Sequence, residues 1–273
     1  MGKFDGILIC TDLDGTLYKN DKTVSRENRE AIEYFKENGG YFTFITGRMP
    51  NYSQDAYNAA RPNVPFGCVN GGGVYDGVKK EYIWTAAMPE GALDLVRYID
   101  ESFSDLGIQI CTFNRTYFAR ENGTMQNFRR ETGLPNLVCP YWEVDEPIAK
   151  VIFGTDCEED ILRIEAMLRA HPLSGKFGFI RSQKNLFEIL PGGVHKGLAL
   201  TRLAEYLNVD VSKTVAIGDY NNDIGMFKAA GVGVAVSNSC RAALEVADYV
   251  TVSNEEHAVA RVIYDIENGK YGI

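Results

Sequence analysis

No stretch of this 273-residue sequence stays apolar for the length of a membrane span, so no crossing helix and no membrane partner are expected. The opening Met1-Gly2-Lys3-Phe4-Asp5-Gly6 lacks an apolar signal core and has Gly6 where a myristoylation motif wants Ser or Thr. The six cysteines, at positions 10, 68, 111, 139, 157 and 240, include no CxxC pair, which removes a zinc knuckle and a thioredoxin-type redox motif. Basic residues are outnumbered, 28 against 37, for a net charge of −9. A nucleic-acid surface is therefore not expected, although a local basic pocket can persist within an acidic protein. Internal repeats and low-complexity linkers are also missing. With no export signal and cysteines that read as reduced and buried, the chain is expected to be cytoplasmic.

What the sequence does have is ordinary globular composition, 45% hydrophobic and 24% charged, with material for one large domain or two smaller ones. The stretch that organises it is Ile7-Leu8-Ile9-Cys10-Thr11-Asp12-Leu13-Asp14-Gly15-Thr16-Leu17. Its first half is a short apolar run of the kind that forms a buried parallel strand, and it ends in two closely spaced carboxylates and a glycine. Acids this close repel, so one has its pKa raised unless a cation or hydrogen-bond donors compensate. Taken singly, Asp12 and Asp14 equally suit a turn or helix cap leaving a strand.

Ser25 is placed to cap a helix running to about Glu37, with Gly39-Gly40 as its stop. Tyr41 to Ile45 reads as a strand entering Thr46-Gly47-Arg48, residues 53–60 as helical, and Phe66 to Val69 as a third strand ending at Asn70-Gly71-Gly72-Gly73. This alternation predicts a doubly wound parallel sheet. From about residue 82 to 189 the rhythm changes. A helix at 89–103 is followed by strand pairs at 108–111 and 117–119 and a polar stretch through Arg130. A strand at 148–153, a helix at 158–170 and strands at 177–180 and 186–189 complete the region. Hairpin-length gaps between strands imply an antiparallel α+β unit. Alternation resumes at Lys196, with strands at 214–217, 232–236 and 249–252 separated by helices. The expected fold is α/β, a Rossmann-like doubly wound parallel sheet core built from 1–81 and 190–273, with an inserted α+β domain at 82–189.

Strand C-termini of a parallel sheet lie along one edge, so residues distant in sequence can converge there. That edge is expected to gather Asp12, Asp14, Thr46-Gly47, Lys196 and Gly218-Asp219-Tyr220-Asn221-Asn222-Asp223. Asp223 falls one helical turn after Asp219, where its charge also suits a helix N-terminus. Three or four carboxylates beside a single lysine form a hard-cation site with oxygen ligands, most naturally for Mg²⁺. Alone, Thr46 reads as a turn residue, Asp223 as a helix-terminal acid and Lys196 as a surface charge. A calcium-binding loop starting at Asp12 is excluded, because Leu17 and Thr23 stand where glycine and glutamate are needed.

Asp12-Leu13-Asp14-Gly15-Thr16, Thr46-Gly47-Arg48, Lys196-Gly197 and Gly218-Asp219-Tyr220-Asn221-Asn222-Asp223 resemble the four motifs of the haloacid dehalogenase superfamily. Their order, with a long insertion between the second and third, is similar to that of its Cof-like phosphatases with a large α/β cap (type IIB). The resemblance implies that Asp12 is the nucleophile and forms an aspartyl-phosphate. It also implies that Asp14 is the acid and base, with its backbone carbonyl on Mg²⁺. Asp219 would join Asp12 as a metal ligand, and Asp223 would stand behind, holding the metal waters or Lys196. Thr46 and Gly47 would donate to the phosphoryl oxygens with Asn222 as a helper, and Lys196 would offset charge on Asp12 and on the transferring phosphoryl group. By its own position, Arg48 suits a contact to the substrate phosphate. The implied substrate is a small phosphorylated metabolite, a sugar phosphate first and a phosphorylated cofactor second. A phosphomutase and a receiver-like phospho-acceptor remain open, although Asp14 and the insertion argue against the receiver. Arg48 also suits capping a sheet edge, and Asn70 to Gly73 suit either a pocket wall or a hinge. His195 suits an orienting or bystander role. Asn114, Arg115, Arg120, Gln126, Arg129 and Lys184 suit leaving-group contacts or solvated surface. Nothing in the sequence indicates an oligomeric state.

Overall fold

The computed structural model describes residues 2–273. The chain forms two compact units, one comprising the N-terminal segment to Arg48 with Ser53–Trp84 and His195–Ile273, the other Met49–Tyr52 with Thr85–Val194. The first unit holds a five-stranded sheet in the order Tyr249–Val250, Val232–Ala235, Thr214–Gly218, Leu8–Thr11, Tyr41–Phe44. Every neighbouring pair is parallel. Leu8–Thr11 is buried throughout, as its unbroken apolar run requires of a strand covered on both faces. Thr11 stands opposite both Ile217 and Phe44, so three strands end at one level and release Asp12, Ile45 and Gly218 side by side.

Helices lock this sheet in place. In Arg26–Glu37 the Ser25 hydroxyl accepts from the Asn28 backbone N–H at 3.1 Å, a cap that contributes about 1 kcal/mol. Its Ala31, Ile32 and Phe35 are buried. The Asn28 amide oxygen accepts from the Ala260 N–H at 2.9 Å, tying this helix to Ala258–Glu267.

The expected third parallel strand takes a different course. Phe66–Cys68 pairs antiparallel with Gly73–Asp76 in a separate three-stranded sheet completed by Glu81–Thr85. An isolated parallel bridge between Ile45 and Gly67 connects it to the parallel sheet. The cause is local. Val69 (φ 56°), Asn70 (φ 52°) and Gly71 (φ 99°) are consecutive left-handed residues that turn the chain back on itself before a crossover helix can form. A β-branched residue in this conformation costs about 1–3 kcal/mol.

The second unit is a five-stranded antiparallel sheet in the order Thr116–Arg120, Gly107–Thr112, Ile148–Gly154, Leu186–Pro191, Phe177–Gln183. Ile110, Val151, Phe153 and Phe187 pack with Leu95, Ile161 and Ile164 from the helices Ala92–Asp100 and Glu158–Ala170. The polar stretch before Arg130 is a helix, Gly123–Thr132, capped by the Asn122 side chain accepting from the Met125 N–H at 3.1 Å. Its only buried side chains are Thr124 and Met125, which is why no helical apolar stripe marks it. No helix among the described residues is long and apolar enough to cross a membrane.

Candidate active site

Asp12 is the first residue past its strand, and its N–H continues the sheet ladder by donating to the Ile217 carbonyl at 2.8 Å. At the end of the adjacent strand, Gly218 leads into Asp219, and the chain turns so that Asp223 folds back beneath it. The Asp223 Oδ2 accepts from the N–H groups of Asp219 and Tyr220, each at 2.9 Å. Gly218 makes this possible, because a Cβ there would stand 2.5 Å from the Asp223 Cγ. Lys196, at the start of helix Lys196–Leu207, points its ammonium between two acids, 2.5 Å from Asp12 Oδ1 and 2.6 Å from Asp223 Oδ1. All three are buried, with Asp12 8%, Lys196 1% and Asp223 0% exposed.

Asp219 completes the group. Its Oδ1 accepts from the Thr16 hydroxyl at 2.9 Å. Gly15, at φ 80°, leaves room for it, since a Cβ would lie 2.6 Å from Oδ2. Asp12, Asp219 and Asp223 each offer a carboxylate oxygen, all within 4.8 Å of one another. Accounting for each oxygen separates their parts. Both oxygens of Asp223 are engaged, whereas Oδ2 of Asp12 and Oδ2 of Asp219 carry no hydrogen bond among the described residues. Two unengaged hard oxygens beside a third acid fit a divalent cation of the Mg²⁺ type.

A sequence profile of the haloacid dehalogenase-like hydrolases matches residues 9–263, a span that includes every site residue just described. The chain belongs to that family. Among its curated relatives is the 5-amino-6-(5-phospho-D-ribitylamino)uracil phosphatase YitU of Bacillus subtilis. It is 28% identical over 261 residues, covering 94% of this chain and 96% of that protein. Phosphatase YwpJ of the same organism is 27% identical over 281 residues, covering 94% and 98%. A solved haloacid dehalogenase-like hydrolase from Bacteroides thetaiotaomicron superposes with a TM-score of 0.83 at 27% identity, covering 95% of this chain and 99% of that one. This haloacid dehalogenase-like hydrolase is a phosphatase, which sets aside the non-enzymatic phospho-acceptor.

The electrostatics of the site follow from burial among like charges. Burial is the main cause of an Asp12 pKa pushed up to about 8, with Lys196 opposing it and Asp223 and Asp219 adding to it. Asp219 is pushed up to about 6 by burial and then by Asp223, against the Thr16 hydrogen bond. Burial works against the Lys196 charge as well, yet Asp12 and Asp223 hold its ammonium well above the ordinary lysine range. One ammonium thus faces three carboxylates, and a bound cation would supply further positive charge.

The remaining expected residues divide into two groups. Asp14 lies outside the buried triad and is partly exposed, held by Arg48 Nη2 at 2.9 Å and Lys22 Nζ at 2.8 Å. Although burial raises it, the charges of Arg48 and Lys22 win and keep this carboxyl below its usual range. Thr46 is buried, donates its N–H to the Gly67 carbonyl and accepts from the Asn70 N–H, both at 3.0 Å. The Arg48 N–H reaches the Thr46 hydroxyl at 3.3 Å. Asn222 Nδ2 donates to Asn70 Oδ1 at 3.3 Å, so Asn70 joins the second and fourth motifs. His195 occupies the N-cap position of its helix without a side-chain capping bond, its ring against Gly225. Lys22 and the Thr16 hydroxyl were not anticipated. Lys22 has no motif or periodicity to announce it, and Thr16 stood inside a motif that gave it no partner. In the second unit, Asn114 donates to Glu146 at 2.9 Å, Arg120 to Asp100 at 2.6 Å and Arg129 to Glu121 at 2.7 Å. These contacts give those side chains structural work.

Proposed function

We propose that this phosphatase hydrolyses a small phosphate monoester through an aspartyl-phosphate on Asp12, with Mg²⁺ as cofactor. The observation that carries it is a buried Asp12 whose Oδ1 is fixed by Lys196 at 2.5 Å while Oδ2 is left unengaged. An Asp12 oxygen attacks phosphorus as the bond to the alcohol oxygen breaks, and the departing oxygen takes a proton from Asp14. Water then attacks the same phosphorus and returns its proton to Asp14, releasing phosphate and restoring the Asp12 carboxylate. The ionised Asp14 that Arg48 and Lys22 stabilise suits this second step. Thr46 and Gly47 donate to the phosphoryl oxygens, Arg48 and Asn222 lie beside them, and Lys196 offsets their charge. Asp12, Asp219 and the Asp14 carbonyl would hold Mg²⁺ with Asp223 fixing Lys196 behind them, and the metal would neutralise charge on the transferring group.

For substrate, we assign a phosphorylated polyol or sugar, alone or attached to a heterocycle. The relative YitU acts, by its name, on a phosphorylated ribityl chain carried by a uracil, and this supports the assignment. The inserted unit, about 82–189 by sequence, is assigned as the domain that chooses among such esters. The test is inorganic phosphate release from a panel of sugar phosphates, polyol phosphates, nucleotides and phosphorylated cofactors, with and without Mg²⁺. Metal-dependent release is expected, ranked toward polyol and sugar esters. Conversion of an ester to its isomer without free phosphate would overturn hydrolysis in favour of a mutase.

Two further outcomes are expected here. Asp14→Asn should lower turnover by about 10²–10⁴-fold and flatten one limb of the pH–rate profile; unchanged turnover would remove its proton-transfer role. The second concerns metal and pH. With its pKa raised from 3.8 to about 8 in the fold, Asp12 contributes stability that is complete below about pH 4 and lost as pH climbs to about 8. Asp219, raised to about 6, acts in the same direction. Mg²⁺ binds the ionised forms, so its elevation of the melting temperature should grow between pH 6 and 8, with proton release on binding. Calorimetric melts with Mg²⁺ and with EDTA check this, and a pH-independent difference would contradict it.

A further inference from the structure

The turn after strand Val232–Ala235 belongs to none of the four motifs, yet it touches both loops that carry the buried acids. Asn238 Nδ2 donates to the Gly15 carbonyl at 2.8 Å. The Ser239 hydroxyl donates to the Gly218 carbonyl at 3.3 Å, which also accepts from the Val236 N–H at 3.1 Å. The Cys240 N–H donates to the Asp219 carbonyl at 2.9 Å. Asn238 is itself held from behind, its Oδ1 accepting from the Asn254 N–H at 2.9 Å. Asn254 is buried, and its Nδ2 donates to the Tyr18 carbonyl at 3.0 Å, at the far end of the loop that begins with Asp12. With its oxygen facing an N–H and its nitrogen facing a carbonyl, the Asn238 amide has one orientation that satisfies both ends.

We propose that residues 236–240 form a clasp that sets the spacing of the Asp12 and Asp219 loops and so tunes cation affinity, with Asn238 as its positioning residue. The proposal rests on the metal-assisted phosphatase reading. Its path is short and physical. The Gly15 carbonyl that Asn238 fixes belongs to the same peptide unit as the Thr16 N–H, and the Thr16 hydroxyl engages Oδ1 of Asp219 at 2.9 Å, leaving Oδ2 for a cation. Gly15, at φ 80° and without a side chain, is the point where this loop rotates most readily. Without the clasp, rotation of that peptide carries Thr16 away from Asp219, and the two unengaged carboxylate oxygens lose their fixed separation. Asn238 is exposed and touches neither a reacting atom nor a cation ligand, so it acts only through Gly15 and Thr16.

The experiment compares wild type, Asn238→Ala, Thr16→Val and the double variant by Mg²⁺ titration calorimetry without substrate, and by phosphate release. Asn238→Ala is expected to weaken Mg²⁺ binding and lower kcat by about 10-fold each, with KM within about two-fold and little change in melting temperature. If Asn238 acts through Thr16, the double variant binds Mg²⁺ no more than slightly worse than Thr16→Val alone, because two steps of one path do not add. Ser239→Ala, which removes only the contact to Gly218, is expected to weaken binding in the same direction by about 3-fold and serves if the first variant folds poorly. Unchanged Mg²⁺ affinity in both clasp variants, or fully additive losses in the double variant, overturns the clasp while leaving the phosphatase reading intact. Wild type that binds no Mg²⁺ overturns that reading, and the clasp with it.

Discussion

Asp12→Asn is expected to lose more than about 10⁴-fold in phosphate release while remaining folded. Asparagine has the size and shape of aspartate, and its amide oxygen can still accept from the Lys196 ammonium that now stands 2.5 Å from Oδ1. What it lacks is an anionic oxygen able to attack phosphorus, and no neighbour can replace it. Both oxygens of Asp223 are engaged, Asp219 shares one of its own with Thr16, and Asp14 is held by Arg48 and Lys22. Stability points the other way from activity. Burying the Asp12 charge among other acids costs free energy, visible in its pKa of about 8, so the neutral side chain should melt no earlier than wild type in metal-free buffer above pH 8. Phosphate release and a thermal melt on one preparation check both halves. Turnover within about tenfold of wild type would remove Asp12 as the nucleophile.

Lys196→Met is expected to damage stability and activity together. The ammonium is 1% exposed and bonds two carboxylates that have few other sources of positive charge. Removing one member of such a buried group while its partners remain costs about 3–5 kcal/mol, more than replacing all members with apolar side chains would. The loss should depend on pH, because protonation of Asp12 relieves the repulsion. Because Lys196 lowers the Asp12 pKa, its removal moves that pKa above the wild-type value of about 8, so the loss is smaller at acid pH, where Asp12 is protonated in both proteins, and grows as the pH rises past about 8. Turnover should fall by about 10²–10³-fold, as when one positioned donor to a transferring group is removed. Urea unfolding at pH 6 and pH 8.5, with and without Mg²⁺, separates these effects. A loss under about 1 kcal/mol at both values would mean that the acids are compensated elsewhere.

Much of the fold was legible because its signals are local. The apolar run ending at Asp12 needed burial on both faces, and only a parallel strand near the sheet centre provides that. Ser25 and the spacing of Ala31, Ile32 and Phe35 announced the first helix, and the helix Glu158–Ala170 begins and ends where its pattern does. The failures were local conflicts. The apolar Phe66 to Val69 run looks like a parallel strand, but three left-handed residues at 69–71 send it into an antiparallel pair instead. Gly123–Thr132 buries so little that its sequence reads as a loop.

The sequence by itself determined the α/β class and the family motifs, because strand and helix periodicity and the spacing of acids within a motif are properties of neighbouring residues. Tertiary structure alone decided how the acids differ. Asp223 is fully engaged, Asp12 and Asp219 each keep one oxygen, and Asp14 is drawn out to Arg48 and Lys22. Those assignments arise from the parallel register that sets Thr11 against Ile217 and from hydrogen bonds spanning as far as Thr16 to Asp219 and Gly15 to Asn238. Such contacts link residues with no shared local pattern, and which donor reaches which oxygen is fixed only when the strands close into one sheet.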